Sequence, residues 1–235
     1  MRTAGAGSVR TVGALTRYHL ELLVRSHAWL PPFLVFALLM VIGVQPGDPL
    51  LGGLGFGAGV LVPVSAWFVR AALNAEPPAS RACLVAAAGA VRVHLGALLA
   101  ALSAGLLLAA AGVAVLWAVS GPVVNKGAGN APGLSGALTA GLGASVVCVL
   151  TGVLAGALGN RPVLLRSPYA ILATLGLSAA ALVVPGSPAN AAVRDLVTAA
   201  RTGLVAAPWP ELLLALALLA LVGAVVAPLA GRRPA

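Results

Sequence analysis

Residues 50–94 read LLGGLGFGAGVLVPVSAWFVRAALNAEPPASRACLVAAAGAVRVH, and the order of residue types within them decides the fold. Leu50 to Val69 hold no charge; Arg70, Arg81 and Arg92 then follow before a second uncharged run opens at Leu95. A hydrocarbon core of about 30 Å needs about 20 helical residues to cross it. Backbone polar groups find no partner in lipid, so such runs must be helices. The same alternation recurs along the chain. Arg2, Arg10, Arg17 and Arg25 precede the first apolar stretch, Arg161 and Arg166 follow the fourth, and Arg232 and Arg233 follow the sixth. Eleven of the fourteen basic residues thus share one side, against Lys126, Arg194 and Arg201 on the other. Short loops rich in Lys and Arg stay in the cytoplasm, which predicts six spans with both termini inside.

Composition excludes a soluble protein. Hydrophobic residues make up 60% of the chain and charged residues 8%, with a mean hydropathy of +1.06, and so few charges could not cover that much apolar surface in water. The formal charge of +9 sits in loops between apolar runs, so topology explains it and nucleic acid is not a partner. Cys83 falls in a loop and Cys148 within a span, too far apart for a disulfide and too few for a metal framework. No N-x-S/T sequon occurs. The polar segment before the first apolar run is too long for a signal-peptide n-region, so it is expected to be retained. Thirteen arginines against one lysine, with abundant Ala, Gly, Val and Pro, reflect the coding bias of a GC-rich bacterial genome and place the protein in a bacterial plasma membrane.

The expected fold is a single all-α transmembrane domain over residues 1–235. Its spans are placed at Trp29–Val44, Leu50–Val69, Leu95–Val119, Leu134–Leu158, Tyr169–Val184 and Glu211–Leu229. The first and fifth are short. Asp48-Pro49 reads as an N-cap followed by proline at the first helical position, and Pro31-Pro32, Pro132, Pro168 and Pro210 mark other helix starts. Trp29, Trp67, Trp117 and Trp209 fall near span ends, where an indole is apolar on one side and wet on the other. The second span carries Gly52, Gly53, Gly55, Gly57 and Gly59. Gly53/Gly57, Gly55/Gly59 and, in the fourth span, Gly152/Gly156 have the small-xxx-small spacing that lets helices approach closely. GLGFGAGV lacks the G-x-G-x-x-G spacing, the preceding strand and the later acidic residue of a dinucleotide loop. Pro63 is expected to kink this span, as a packing feature or as a hinge.

Three segments outside the spans have helical character. In Arg10–Ala28, Leu15, Tyr18 and Leu22 share one face while Arg17, Glu21 and Arg25 form an i, i+4 ladder on another. That is an amphipathic helix at the inner membrane surface or a solvated cytoplasmic helix. Between Arg70 and His94, Pro77-Pro78 stops the preceding helix, and Ala79–Ala88 is a short helix ended by Gly89. It is either a docking element or a connector that reverses the chain. In the outer loop, Asn190 caps a helix running to Thr202 and ended by Gly203, with Val193, Leu196, Val197, Ala200 and Leu204 on one face.

Catalytic chemistry is missing. Glu21, Asp48, Glu76, Asp195 and Glu211 all fall in loops or at span ends, and His19, His27 and His94 are scattered. There is no H-E-x-x-H, G-x-S-x-G or Walker A sequence. Ion-coupled carriers keep an ionisable residue near the membrane midplane, and these span interiors hold none, which argues against that class.

The stretch EPPASRACLVAAAGAVRVHLGALLAAL, residues 76–102, resembles the loop before the third span in the permease subunits of type-2 ATP-binding-cassette exporters, with its acidic residue, Pro/Ser/Arg turn and Gly-x-x-Arg segment. The resemblance covers nearly the whole chain and rests on layout. Those permeases have an N-terminal interfacial connecting helix (here residues 10–28), six spans, a cytoplasmic coupling helix between spans 2 and 3 (residues 70–94) and a short outer helix between spans 5 and 6 (residues 190–204). It implies an exporter whose cytosolic ATPase subunits, holding ATP–Mg, dock on the coupling helix. Glu76, Ser80 and Arg81 would form that docking surface, with Leu84 and Val85 as apolar anchors. It also implies a second permease subunit, identical or related. Gly53, Gly55, Gly57 and Gly59 with Pro63 would serve the permease–permease interface or the translocation path. The chain itself would hold no cofactor and no catalytic site. The competing class is a non-transporting membrane scaffold, immunity factor or assembly subunit.

Overall fold

The structure, a computed structural model, describes residues 3–125, 132–160, 163 and 167–232. Arg2, Lys126, Arg161, Arg166 and Arg233, and the side chain of Arg232, lie outside the described residues. Among those described there are only helices: α1 (Thr3–Arg25), α2 (Leu30–Gly43), α3 (Leu50–Asn74), α4 (Pro78–Ala88), α5 (Ala90–Val119), α6 (Leu134–Gly159), α7 (Ser167–Val183), α8 (Pro188–Thr202) and α9 (Trp209–Arg232). Three of them, α3, α5 and α6, are long and apolar enough to cross a membrane. The number rises to five if two bent pairs each count as one span: α1 with α2, meeting at 71°, and α7 with α8, at 45°. At 14 residues α2 is about 21 Å long, less than a bilayer core, which is why it does not qualify alone. His27, at φ 56°, turns the chain between α1 and α2.

Contacts along the helices fix their directions. Gly53 at the start of α3 faces Leu116 near the end of α5, and Gly105 in mid-α5 faces Ser65. Gly159 at the end of α6 faces Thr174 in the middle of α7. Consecutive long helices therefore run in opposite directions. The loop before α3 is stitched to the loop after α5 by backbone bonds from Gly47 to Val119, Leu50 to Pro122 and Gly121 to Asp48, of 3.0, 2.8 and 3.0 Å. One end of the bundle gathers α1, α4 and Arg70, Arg81 and Arg92, whereas α8 brings Arg194 and Arg201 to the other.

The centre is the parallel pair α3 and α6, the most deeply buried of the long helices. A Cβ on Gly152 would fall on the Val62 carbonyl oxygen and within 2.8 Å of the Ser65 Cβ. One on Gly156 would lie 2.9 Å from the Ala66 oxygen. The small-xxx-small spacing of α6 thus does what it predicts: in lipid, helices gain from packing rather than from water exclusion, and bare backbone brings more atoms into contact. Around this pair, α5 covers one flank, α2 packs on α3, α7 and α9 on α6, and α8 lies across α3 and α6.

Several expectations are corrected. Asp48 does not cap α3. The capping residue is Pro49, and the Asp48 carboxylate instead accepts the Gln45 N–H at 2.7 Å. Asn190 does not cap α8, which starts at Pro188; its side-chain amide donates to the Leu182 carbonyl at 2.6 Å and ties α8 to the last turn of α7. The buried stripe of α1 is Leu15, His19 and Leu23, not Leu15, Tyr18 and Leu22, because α5 meets the helix one position round. The buried face of α8 is Ala189, Ala192, Leu196 and Ala199, while Val197 and Leu204 are exposed. Helix α3 runs unbroken through Pro63 to Asn74, and α5 begins at Ala90, taking in Arg92 and His94.

Candidate functional site

Two prolines and one glycine isolate α4. Pro77 is extended (φ −60°, ψ 144°) and Pro78 supplies the first helical residue, so α3 cannot continue. Gly89 sits at φ 86°, ψ 142°, closing α4 and opening α5 in one residue; an L side chain is strained there. None of the residues of this helix is buried.

The acidic residue ahead of it is the opposite. Glu76 is 7% exposed and turned inward: its Oε1 accepts hydrogen bonds from Tyr18 Oη of α1 and Ser80 Oγ of α4, both at 3.2 Å. Tyr18 and Ser80 lie 3.4 Å apart, so three hydroxyl and carboxylate groups close a triangle across α1, the α3–α4 linker and α4. Arg81 donates to the Leu73 carbonyl at 3.5 Å, across the same turn. His19 packs edge-on to Tyr18, with ring centroids 5.4 Å apart, and is 2% exposed. Burial holds its ring below the usual histidine range and the Arg81 charge adds to that, while the Glu76 carboxylate pulls the other way. The backbone of Val93 lies beside the ring, short of a hydrogen bond. His94 is 1% exposed and its ring nitrogens have no hydrogen-bond partner among the described residues. Gly96 lets α1 sit this low: a Cβ there would lie 2.7 Å from the Leu15 Cβ.

The docking residues expected from sequence therefore divide. Glu76 is buried in the triangle with Ser80, while Arg81, Leu84 and Val85 are half-buried. The open face of α4 consists of Ala79, Ala82, Cys83, Ala86 and Ala87. The glycines of α3 are used inside the chain. Cβ atoms placed on Gly53 and Gly57 would meet Leu116, the one on Gly57 also the Met40 sulfur at 3.4 Å, and one on Gly55 would meet Leu196 and Val197 of α8. A Cβ on Gly59 would lie 4.0 Å from the Val193 side chain, and Pro63 is half-buried.

No protein-family model, curated protein or solved structure matches this chain. What it can do rests on its own geometry.

Sequence reasoning missed the partners of Glu76. Tyr18 was read as part of an apolar stripe, and His19 and His94 as scattered. The signal was present in the i, i+4, i+8 spacing of Leu15, His19 and Leu23, a helical face with one polar member. Also missed was a second junction at the same end. Asn160, 3% exposed, accepts from Arg70 Nη1 at 3.3 Å and donates to the Gly156 carbonyl at 2.8 Å and to Thr174 Oγ1 at 3.2 Å. It joins the ends of α3 and α6 to α7. Among the described residues no group of three or more His, Cys, Asp or Glu side chains could hold a metal.

Proposed function

We propose that the chain is the membrane-spanning permease subunit of an ATP-binding-cassette exporter of the type-2 class, in a bacterial plasma membrane with both termini in the cytoplasm. In this reading α2, α3, α5, α6, α7 and α9 are its six spans and α1 is the interfacial connecting helix. Helix α4 is the cytoplasmic coupling helix, and α8 caps the outer ends. The observation that carries it is α4. It is an 11-residue helix without a single buried residue, pinned by Pro77-Pro78 and Gly89 between two long apolar helices and set at the arginine-rich end.

A helix held this way moves as a unit with the helices it joins. ATPase subunits that pair on binding ATP–Mg would press on α4 through Ala79, Cys83 and Ala86. Glu76 would then pass the displacement to Tyr18 and so to α1, because the triangle spans all three elements. Two such permeases, alike or related, would enclose the pathway. Switching between inward- and outward-open states requires that the motor contact each state differently.

The test uses the tagged full-length chain purified from native membranes together with the product of an adjacent reading frame bearing a Walker A motif. Copurification is expected, with loss on Cys83→Asp plus Ala86→Asp; both side chains are exposed, so the fold is not at stake. A complex that survives the double substitution removes α4 as the docking element. Absence of any ATPase partner turns the assignment toward a membrane scaffold or assembly subunit.

A further inference from the structure

Between α5, α6 and α9 lies a narrow cavity of about 100 Å³. His94, Leu98 and Leu102 line it from one stripe of α5, Val153 and Ala157 from α6, and Gly223 from α9. A Cβ placed on Gly223 would meet no atom within 4 Å, so the missing side chain leaves the space open. His94 is the one polar residue in the wall. Its ring is 1% exposed and neither nitrogen is answered by a protein atom among the described residues. A buried imidazole left without partners is costly, and a ligand that reaches it recovers that free energy.

The geometry points to a binding site for the carboxyl end of a single-chain alkyl carboxylic acid, with its head at His94 and its chain running past Leu98, Leu102 and Gly223. Four features select this ligand. Apart from His94 the walls are apolar, so they suit an alkyl chain. The volume is smaller than the roughly 150 Å³ of a cavity that holds benzene, which favours one slim chain over a ring system. His94 is so enclosed that only a compact head group reaches it, which excludes a phosphodiester. The charge of Arg81 also bears on the His94 ring, which favours an anion. From His94 to Leu102 the site runs roughly 12 Å along α5, from the arginine-rich end toward mid-span. Leu99, in the same wall and 40% exposed, marks the open side through which the chain leaves toward lipid. The site rests on this cavity alone and stands or falls independently of the exporter reading.

The experiment uses the full-length chain in lipid nanodiscs and a palmitic acid probe carrying a diazirine in the half of its chain nearer the carboxyl group. After irradiation, labelled peptides are mapped by mass spectrometry. Competitors are unlabelled palmitate, hexadecanol and phosphatidylglycerol vesicles. Labelling is expected within residues 95–102 and 219–226, displaced by palmitate, and about tenfold less well by hexadecanol. Gly223→Leu should cut labelling about tenfold by filling the space. His94→Phe should abolish the preference for palmitate over hexadecanol, and His94→Gln should keep part of it. Labelling that palmitate does not displace, that maps elsewhere, or that phosphatidylglycerol displaces equally well overturns the proposal. So does undiminished labelling of a folded Gly223→Leu variant. Should that variant fail to fold, the wild-type map and its competition profile decide alone.

Discussion

Replacing Gly152 by alanine isolates the contact on which the bundle is built. The new methyl carbon would land on the Val62 carbonyl oxygen of α3 and 2.8 Å from the Ser65 Cβ, about 0.6 Å inside the 3.4 Å at which ordinary contact begins. The obstacle is backbone rather than the end of a flexible side chain, so the two helices must part. Overpacking of this kind costs about 1–3 kcal/mol. Alanine recovers up to about 1 kcal/mol of helix propensity. The net is a loss of up to about 2 kcal/mol, and a chain of 150–250 residues loses about 2–4 °C in Tm per kcal/mol. The expected drop is therefore up to about 8 °C by thermal unfolding in nanodiscs. Gly176→Ala on α7 is the matched control, since a Cβ there meets nothing within 4 Å; it should hold or raise Tm through propensity alone. A Gly152→Ala protein that melts with or above Gly176→Ala refutes the claim that close α3–α6 approach organises the fold.

Gly89→Ala forces a methyl group onto φ 86°, a strain of about 1–3 kcal/mol, and should speed limited proteolysis between α4 and α5 while leaving helix content by circular dichroism nearly unchanged. Cys83 is exposed and Cys148 buried, so a membrane-impermeant maleimide should label only Cys83, and from the cytoplasmic face of oriented vesicles; labelling from the other face reverses the topology. His19 titrates lower in the fold than in the unfolded chain because it is buried, so the unfolded state takes up its proton first. Its contribution is then complete above about pH 6.5 and lost as pH falls further. Melting temperature should decline below that point, and His19→Phe should flatten the decline; an unchanged slope shows that α1 is not held through this ring.

The uncharged runs and the prolines and glycines between them determined helix positions, because lipid leaves the backbone no alternative and these residues interrupt a helix by geometry alone. Pro77-Pro78 and Gly89 set α4 within a residue of its expected limits, and Gly203, at φ 77°, ended α8 as read. The Gly152/Gly156 spacing likewise foretold a close crossing. Side-chain caps were not legible, since Asp48 and Asn190 found partners in Gln45 and Leu182 rather than in their own helices. Nor was the candidate site, although Glu76 stood out as the lone acid of its loop. Tyr18 and Ser80 lie 58 and 4 residues from it, and only the descent of α1 onto Gly96 brings them together. The same limit applies to α3. A helix apolar on every side carries no stripe to say which face is buried, so its neighbours decide. The tertiary structure turned Gly53 and Gly57 toward Leu116 and Gly55 toward α8, because the position of each neighbouring helix, and no polarity pattern of α3 itself, sets which face it meets.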